Sequence, residues 1–290
     1  FTEGEEEVSI RGAIAFRNAG YGQPILLGRE ARIKQRIEEM GLEGSIDFEI
    51  INAKISDHNK EYIEYLYKKL QRKGILQRDC QRMVHLDRNV FAACMVAYGH
   101  ADALVTGMTR SFQASFEHVT RVIDPAKGKD FAATSMVISK GRTVFIGDTS
   151  IHERPTGEQM CDIDEVIAEK ARLMGHTPRV AFLSFSSFGR PASDITQAAR
   201  DAVTVLDKRK VDFEYEGEMT ADIALDFDLM QSSYPFSRLT AAANILVMPG
   251  LHSANISFNL MQQLGGGTVI GPMILNAEHP FQIIPMNATV

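Results

Sequence analysis

Cysteine is scarce: the 290 residues contain three, Cys80, Cys94 and Cys161. An odd number, widely spaced and without metal-ligand pairs, argues against both a disulfide framework and a zinc site, and fits a reducing cytoplasm. Long apolar runs are also missing. Stretches such as 90–97 and 245–248 fall far short of the roughly 20 residues that a membrane-crossing helix needs, so a soluble chain is expected. No basic excess exists either: Lys and Arg number 31 against 37 Asp and Glu, a net charge of −6. With the two signs interspersed, no face suits a nucleic-acid backbone. The sequence carries no Gly-x-Gly-x-x-Gly after a strand, no His-Glu-x-x-His, no Gly-x-Ser-x-Gly elbow and no calcium loop, which removes the commonest motif-bearing enzymes. Histidines next to acids, as in Asp57-His58 and His152-Glu153, read as solvated pairs.

What is present is an ordinary composition, 44% hydrophobic and 23% charged, arranged as short apolar runs alternating with stretches of helical period. That alternation predicts an α/β fold with a parallel sheet covered by helices. Strands are expected at 24–28, 48–51, 101–106, 132–139, 142–146, 180–185, 244–248 and 268–271. Helices are expected at 29–40, 59–73, 79–98, 157–174, 194–208, 221–230 and 253–264. Gly74 and Gly265 are placed as helix stops. The stretch 122–129 combines Pro125, Gly128 and charges, so a boundary is placed there, giving 1–124 as one lobe, completed by about 272–290, and 125–271 as the other. The start at Phe1 without a targeting sequence, and an end at 287–290 just after an apolar strand pattern, predict a piece of a longer chain.

In an open α/β sheet ligands gather beyond the carboxyl ends of the strands. Three turns qualify. Residues 101–111 run through Thr106 and Gly107 to Arg110, which could pair an anion or simply be solvated. Residues 183–190 supply Ser186, Ser187 and Arg190 before a helix that Asp194 would cap, or form a plain serine-rich connection. Residues 248–255 lead into a helix with Asn255 and Asn259 one turn apart, two amides that either bind a ligand or hold a neighbouring loop.

Longer segments carry a family resemblance. Residues 87–96, the turn at 102–110, Gly217–Leu225, Pro235–Thr240, 244–249, Ser253–Ile256 and Ile270–Pro272 resemble the phosphate acetyl/butyryltransferase family over nearly the whole chain. Within it, Gln71–Gly74, Arg78–Arg82, Thr109–Ser111 and the ending Gln282–Met286 are similar to the phosphotransacetylase-like domain fused behind bacterial malic enzymes. The resemblance implies a two-lobed, phosphotransacetylase- or isocitrate-dehydrogenase-like architecture of α/β/α layers with an interlobe cleft. Active members move an acetyl group between acetyl phosphate and coenzyme A, using arginines for the phosphoryl group. Their Asp-Leu-Ser-Arg-Gly-Cys-Ser stretch aligns with 283–289, so Ser becomes Pro285 and Arg becomes Met286. A second family arginine falls on Glu117, beside His118, and a third near Leu70. Each lost Arg–phosphate contact is worth about 1.5–3 kcal/mol, so acetyl phosphate chemistry should be lost.

By resemblance, then, the chain is expected to be a catalytically silent regulatory domain of an NADP-dependent malic enzyme, binding acetyl-CoA as an allosteric inhibitor and assembling a homo-oligomer. A working phosphate acetyltransferase is the alternative, and a pure scaffold a third reading. The acyl-CoA site is expected to be lined by Thr106, Gly107, Arg110, Ser186, Ser187, Gly271, Asn276 and Met286. No cofactor is expected within these residues; NADP and a Mg or Mn ion belong to the malic enzyme catalytic domain implied upstream in the same chain.

Overall fold

The computed structural model describes residues 1–42, 48–190, 193 and 196–290. Two compact units form: 1–124 together with 277–290, and 125–276. Asp194, the expected helix cap, lies outside the described residues. Among those residues no helix is long and apolar enough to cross a membrane.

The first unit contains the helices α1 (Glu7–Asn18), α2 (Glu30–Glu39), α3 (Asn59–Leu70), α4 (Gln77–Leu86), α5 (Arg88–Ala97) and α6 (Phe112–Thr120). Its strands are β1 (Ile25–Leu27), β2 (Glu49–Ile51) and β3 (Leu104–Thr106), with β10 (Phe281–Ile283) returning from the end of the chain. β1 pairs in parallel with β2, and β3 with β10. The extended start of the chain lies between the two pairs: Gly4 donates to the Leu27 carbonyl at 3.0 Å, and Thr2 to Val105 at 3.1 Å. α3 forms because Tyr62, Leu66 and Leu70 recur at four-residue spacing and all are buried. The single helix expected over 79–98 is instead two. Asp87 adopts an extended conformation (φ −112°, ψ 108°), and its carboxylate accepts from the Asn89 and Val90 amides at 2.9 and 3.2 Å, capping α5. A periodic apolar pattern continues across that break, which is why periodicity alone misses it.

The second unit is an α/β/α sandwich. Its strands are β4 (Ala132–Ser139), β5 (Arg142–Gly147), β6 (Arg179–Leu183), β7 (Glu214–Met219), β8 (Ile245–Val247) and β9 (Thr268–Leu275), in the spatial order β7-β6-β8-β5-β4-β9. β7, β6, β8 and β5 run parallel, while β4 is antiparallel to β5 and β9, so the sheet is mixed rather than wholly parallel. Alternate residues face opposite layers. Phe145, Val180, Phe182, Ile245 and Val247 pack with α7 (Gly157–Leu173) and α8 (Gln197–Arg209). Ile146, Ala181, Leu183 and Leu246 pack on the side of α9 (Ala221–Leu225), α10 (Phe227–Ser233) and α11 (Leu251–Leu264). Burial on both faces explains the uninterrupted apolar runs that marked these strands in the sequence. The helix expected over 221–230 breaks at Asp226 by the device seen at Asp87: an extended residue (φ −117°, ψ 101°) whose carboxylate caps the next helix through the Leu229 amide at 3.0 Å.

Candidate functional site: strand-end turns in each unit

In the first unit the turn after β3 is built around a carboxylate that sequence reasoning did not single out. Glu3 is buried, and its Oε1 lies 3.2 Å from the Thr106 hydroxyl, 3.3 Å from the Gly107 amide and 3.4 Å from the Thr109 hydroxyl. Thr106 also donates to Asn89 Oδ1 at 2.7 Å, tying the turn to α5. The carboxyl-terminal segment closes over the same strand end. The Ile284 amide donates to the Thr106 carbonyl at 2.7 Å, and a Cβ on Gly107 would lie 2.2 Å from the Ile284 carbonyl oxygen. Thr106, Gly107 and the 283–286 segment are thus brought together, and the Met286 side chain is left 62% exposed.

Arg110 is not a free anion receptor. Its guanidinium donates to Asp87 Oδ2 at 2.6 Å, and His118 Nδ1 lies 2.7 Å from the same oxygen. Burial pushes the Asp87 carboxyl up, but the Arg110 hydrogen bond and charge, with His118 behind them, outweigh it and hold its pKa below the usual value. Asp87 therefore caps α5 with one oxygen and holds Arg110 and His118 with the other. Glu117, which takes the place of a family arginine, pairs with Arg121 one turn along α6. Leu70 is buried in the core.

In the second unit the turn after β6 is organised around Glu218, also fully buried. Its Oε1 accepts from the Ser186 hydroxyl at 3.0 Å, the Gly189 amide at 2.8 Å and Arg200 at 3.1 Å. The Ser187 hydroxyl accepts from the Thr220 amide at 3.1 Å. Ser186 is thus tied to β7 and Ser187 to Thr220, the residue that follows that strand. Arg190 is exposed, with no ion pair among the described residues. At the end of β5, Asp148 Oδ2 takes His152 Nδ1 at 2.6 Å, while its Oδ1 accepts from the amides of Ser150 and Ile151 at 2.9 and 3.2 Å. That hydrogen bond raises the His152 pKa above its ordinary value, against an opposing contribution from burial. His152 is thus a partly buried dyad member with Asp148, not half of a solvated pair with Glu153.

The remaining expected site residues have local roles. Gly271 sits in β9 where a Cβ would lie 2.9 Å from Ser135 Cα and Oγ. Asn276 accepts from the Ala126 amide at 2.7 Å through its carbonyl and donates from Nδ2 to Asp130 O at 3.1 Å, fastening residues 126–130. Asn255 and Asn259 are exposed, and the Asn259 side-chain amide donates within α11 to the Asn255 carbonyl at 2.9 Å and to its Oδ1 at 3.0 Å.

Against this geometry, the family model described as phosphate acetyl/butaryl transferase matches residues 1–290. The chain belongs to the phosphate acetyl/butaryl transferase family. It is 46% identical over 289 residues to an NADP-dependent malic enzyme of Rhizobium meliloti, covering 99% of this chain but 38% of that protein. To a phosphate acetyltransferase of Treponema pallidum it is 30% identical, covering 96% of this chain and 85% of that protein. A phosphotransacetylase structure from Streptococcus pyogenes superposes with a TM-score of 0.91 at 25% identity, covering 100% of this chain and 88% of that one. The α/β fold is thus that of the phosphotransacetylases. Glu3 and Glu218 escaped sequence reasoning because neither stands in its own turn: one is about a hundred residues away and the other ends a neighbouring strand.

Proposed function

We propose that the chain is the phosphotransacetylase-like part of an NADP-dependent malic enzyme, binding acetyl-CoA as an allosteric inhibitor without turning over acetyl phosphate. The observation that carries this reading is the state of the arginine at the β3 end. Arg110 spends its charge on Asp87 at 2.6 Å, and Met286 offers no charge where active family members place an arginine. A phosphoryl group needs charge-assisted donors, and nothing in this turn offers one. Recognition of an acyl-CoA makes smaller demands, since turn amides and an exposed arginine can hold its phosphates. Arg190 supports that role better than Arg110 because it is exposed and has no ion pair among the described residues. The malate oxidation, its NADP and its divalent metal belong to the rest of the parent chain.

Two measurements test the proposal. Mixing the chain with acetyl phosphate and coenzyme A should give no thioester above background; robust turnover would instead establish a working phosphate acetyltransferase. Titration with acetyl-CoA should raise the unfolding temperature, with about 2.7 kcal/mol added at 100 times the dissociation constant. Arg190→Glu should weaken that binding by about tenfold, the size of one exposed charge-assisted contact. No shift with acetyl-CoA leaves a scaffold.

Self-association is part of the same proposal. Ile256, Leu260 and Leu264 recur at four-residue spacing along α11 and are 57%, 54% and 81% exposed, an apolar stripe on one face of the helix. A second copy of the chain is the simplest cover for it. Leu260→Glu should shift the protein to a smaller species in sedimentation without lowering its unfolding temperature by more than a few degrees, and an unchanged mass would place the contact elsewhere.

A further inference from the structure

Away from the strand-end turns, the first unit holds a cluster with the composition of a metal centre. His58 immediately precedes α3, Glu61 lies one turn along it, and His100 follows α5, its backbone fixed by a 2.8 Å bond from its amide to the Met95 carbonyl. One ligand atom from each of the three lies within 4.8 Å of the other two. His58 Nδ1 and Glu61 Oε1 are 2.6 Å apart, and the two imidazole centroids 4.2 Å. Four-coordinate ions with bonds near 2.0–2.1 Å hold their ligand atoms about 3.3 Å apart, so side-chain movements on the order of 1 Å complete the site.

A second observation supports a ligand here. Metal-binding histidines nearly always have the other ring nitrogen held by an oxygen, which fixes the ring and frees its partner nitrogen. His100 has that arrangement: its Nδ1 is 2.6 Å from the Tyr62 hydroxyl. Tyr62 is itself rigid, with a buried ring packed on Phe91 and Tyr98 at 5.3 and 5.4 Å. In the tautomer that donates Nδ1–H to the Tyr62 oxygen, Nε2 of His100 carries the lone pair that binds a metal. His58 and Glu61 are about half exposed, which leaves room for water in the remaining coordination positions.

We propose that His58, Glu61 and His100 bind a first-row divalent cation of the zinc class, oriented by Tyr62. Two imidazoles and one carboxylate select zinc, nickel or copper over magnesium and manganese, which prefer all-oxygen shells. The site is therefore distinct in chemistry from the Mg or Mn of a malic enzyme.

The test uses the chain stripped of metal with a chelator and titrated calorimetrically with zinc chloride. One equivalent should bind with a dissociation constant in the micromolar range, unaffected by millimolar magnesium. Substitution with cobalt(II) should produce the visible absorption of an ion in nitrogen and oxygen coordination. A double variant, His58→Gln with His100→Gln, should weaken zinc binding at least a hundredfold; both side chains are exposed, and circular dichroism checks that the fold is kept. Tyr62→Phe should weaken it about 10- to 100-fold, as loss of an orienting partner does. Absence of saturable zinc binding, or binding unchanged in the double variant, overturns the proposal.

Discussion

Gly107→Ala should destabilise the first unit by about 3–5 kcal/mol, among the largest effects a single methyl can have. Two independent causes add. Gly107 adopts φ +120°, a conformation that costs an L residue on the order of 1–3 kcal/mol. The new Cβ would also stand 2.2 Å from the Ile284 carbonyl oxygen and 2.9 Å from the Ile284 nitrogen, both main-chain atoms. The segment cannot retreat cheaply, because β10 is paired to β3 through Val105–Gln282 and Thr106–Ile283, and the Ile284 amide is bonded to Thr106. Gly12→Ala is the control: it lies inside α1 with no atom within 4 Å of the added Cβ, so it should stabilise by about 0.4–1 kcal/mol. Urea denaturation of the two variants decides the matter. A loss below about 1 kcal/mol at Gly107 would mean that the 283–286 segment is not held against the β3 end.

That turn also shows where sequence reading succeeds and where it stops. Thr106, Gly107 and Arg110 are legible because a short apolar strand followed by glycine and a charged residue is a local pattern. The partners are not local. Asp87 looks like one more polar residue in a helical period, yet it ends one helix, starts the next and holds Arg110 and His118. Glu3 reads as the first of several acids at an exposed terminus, whereas it is buried against the Thr106 turn. β7 hid for a related reason. Its glutamates 216 and 218 sit where a buried strand should be apolar, and they are accommodated only because Arg238 and Arg200 reach them from elsewhere in the chain. The central strands, by contrast, were legible because burial on both faces leaves no polar residue to interrupt the run. The family's phosphate-binding positions were read from the resemblance, and the geometry adds that Arg110, the arginine of the turn after β3, is already engaged.

Asp164→Ala should stabilise the second unit at neutral pH, by about 1–3 kcal/mol, which is the cost of a buried polar group without a partner. Asp164 lies on the buried face of α7, fully enclosed, and neither carboxyl oxygen has a hydrogen-bond partner among the described residues. Arg209, the nearest source of compensating charge, is spent on Asp162 and Glu165 at 2.7 and 2.8 Å. Burial therefore drives the Asp164 pKa well above the ordinary carboxylate value, with the charge of Glu165 adding to it. The sign of the pH dependence follows. The native state keeps a proton that the unfolded chain releases above about pH 4, so between that pH and the raised native pKa the unfolded state binds fewer protons and stability falls as pH rises. Alanine removes both the unpartnered group and this slope, so its advantage over the wild type should be smallest near pH 4 and grow toward pH 8. Asn at the same position keeps an unpartnered amide but cannot ionise, and should flatten the slope with a smaller gain. Denaturant midpoints at several pH values separate the contributions. If the alanine variant is less stable at neutral pH and the slope persists, the Asp164 carboxyl has a partner that its burial conceals, and the pH dependence arises elsewhere.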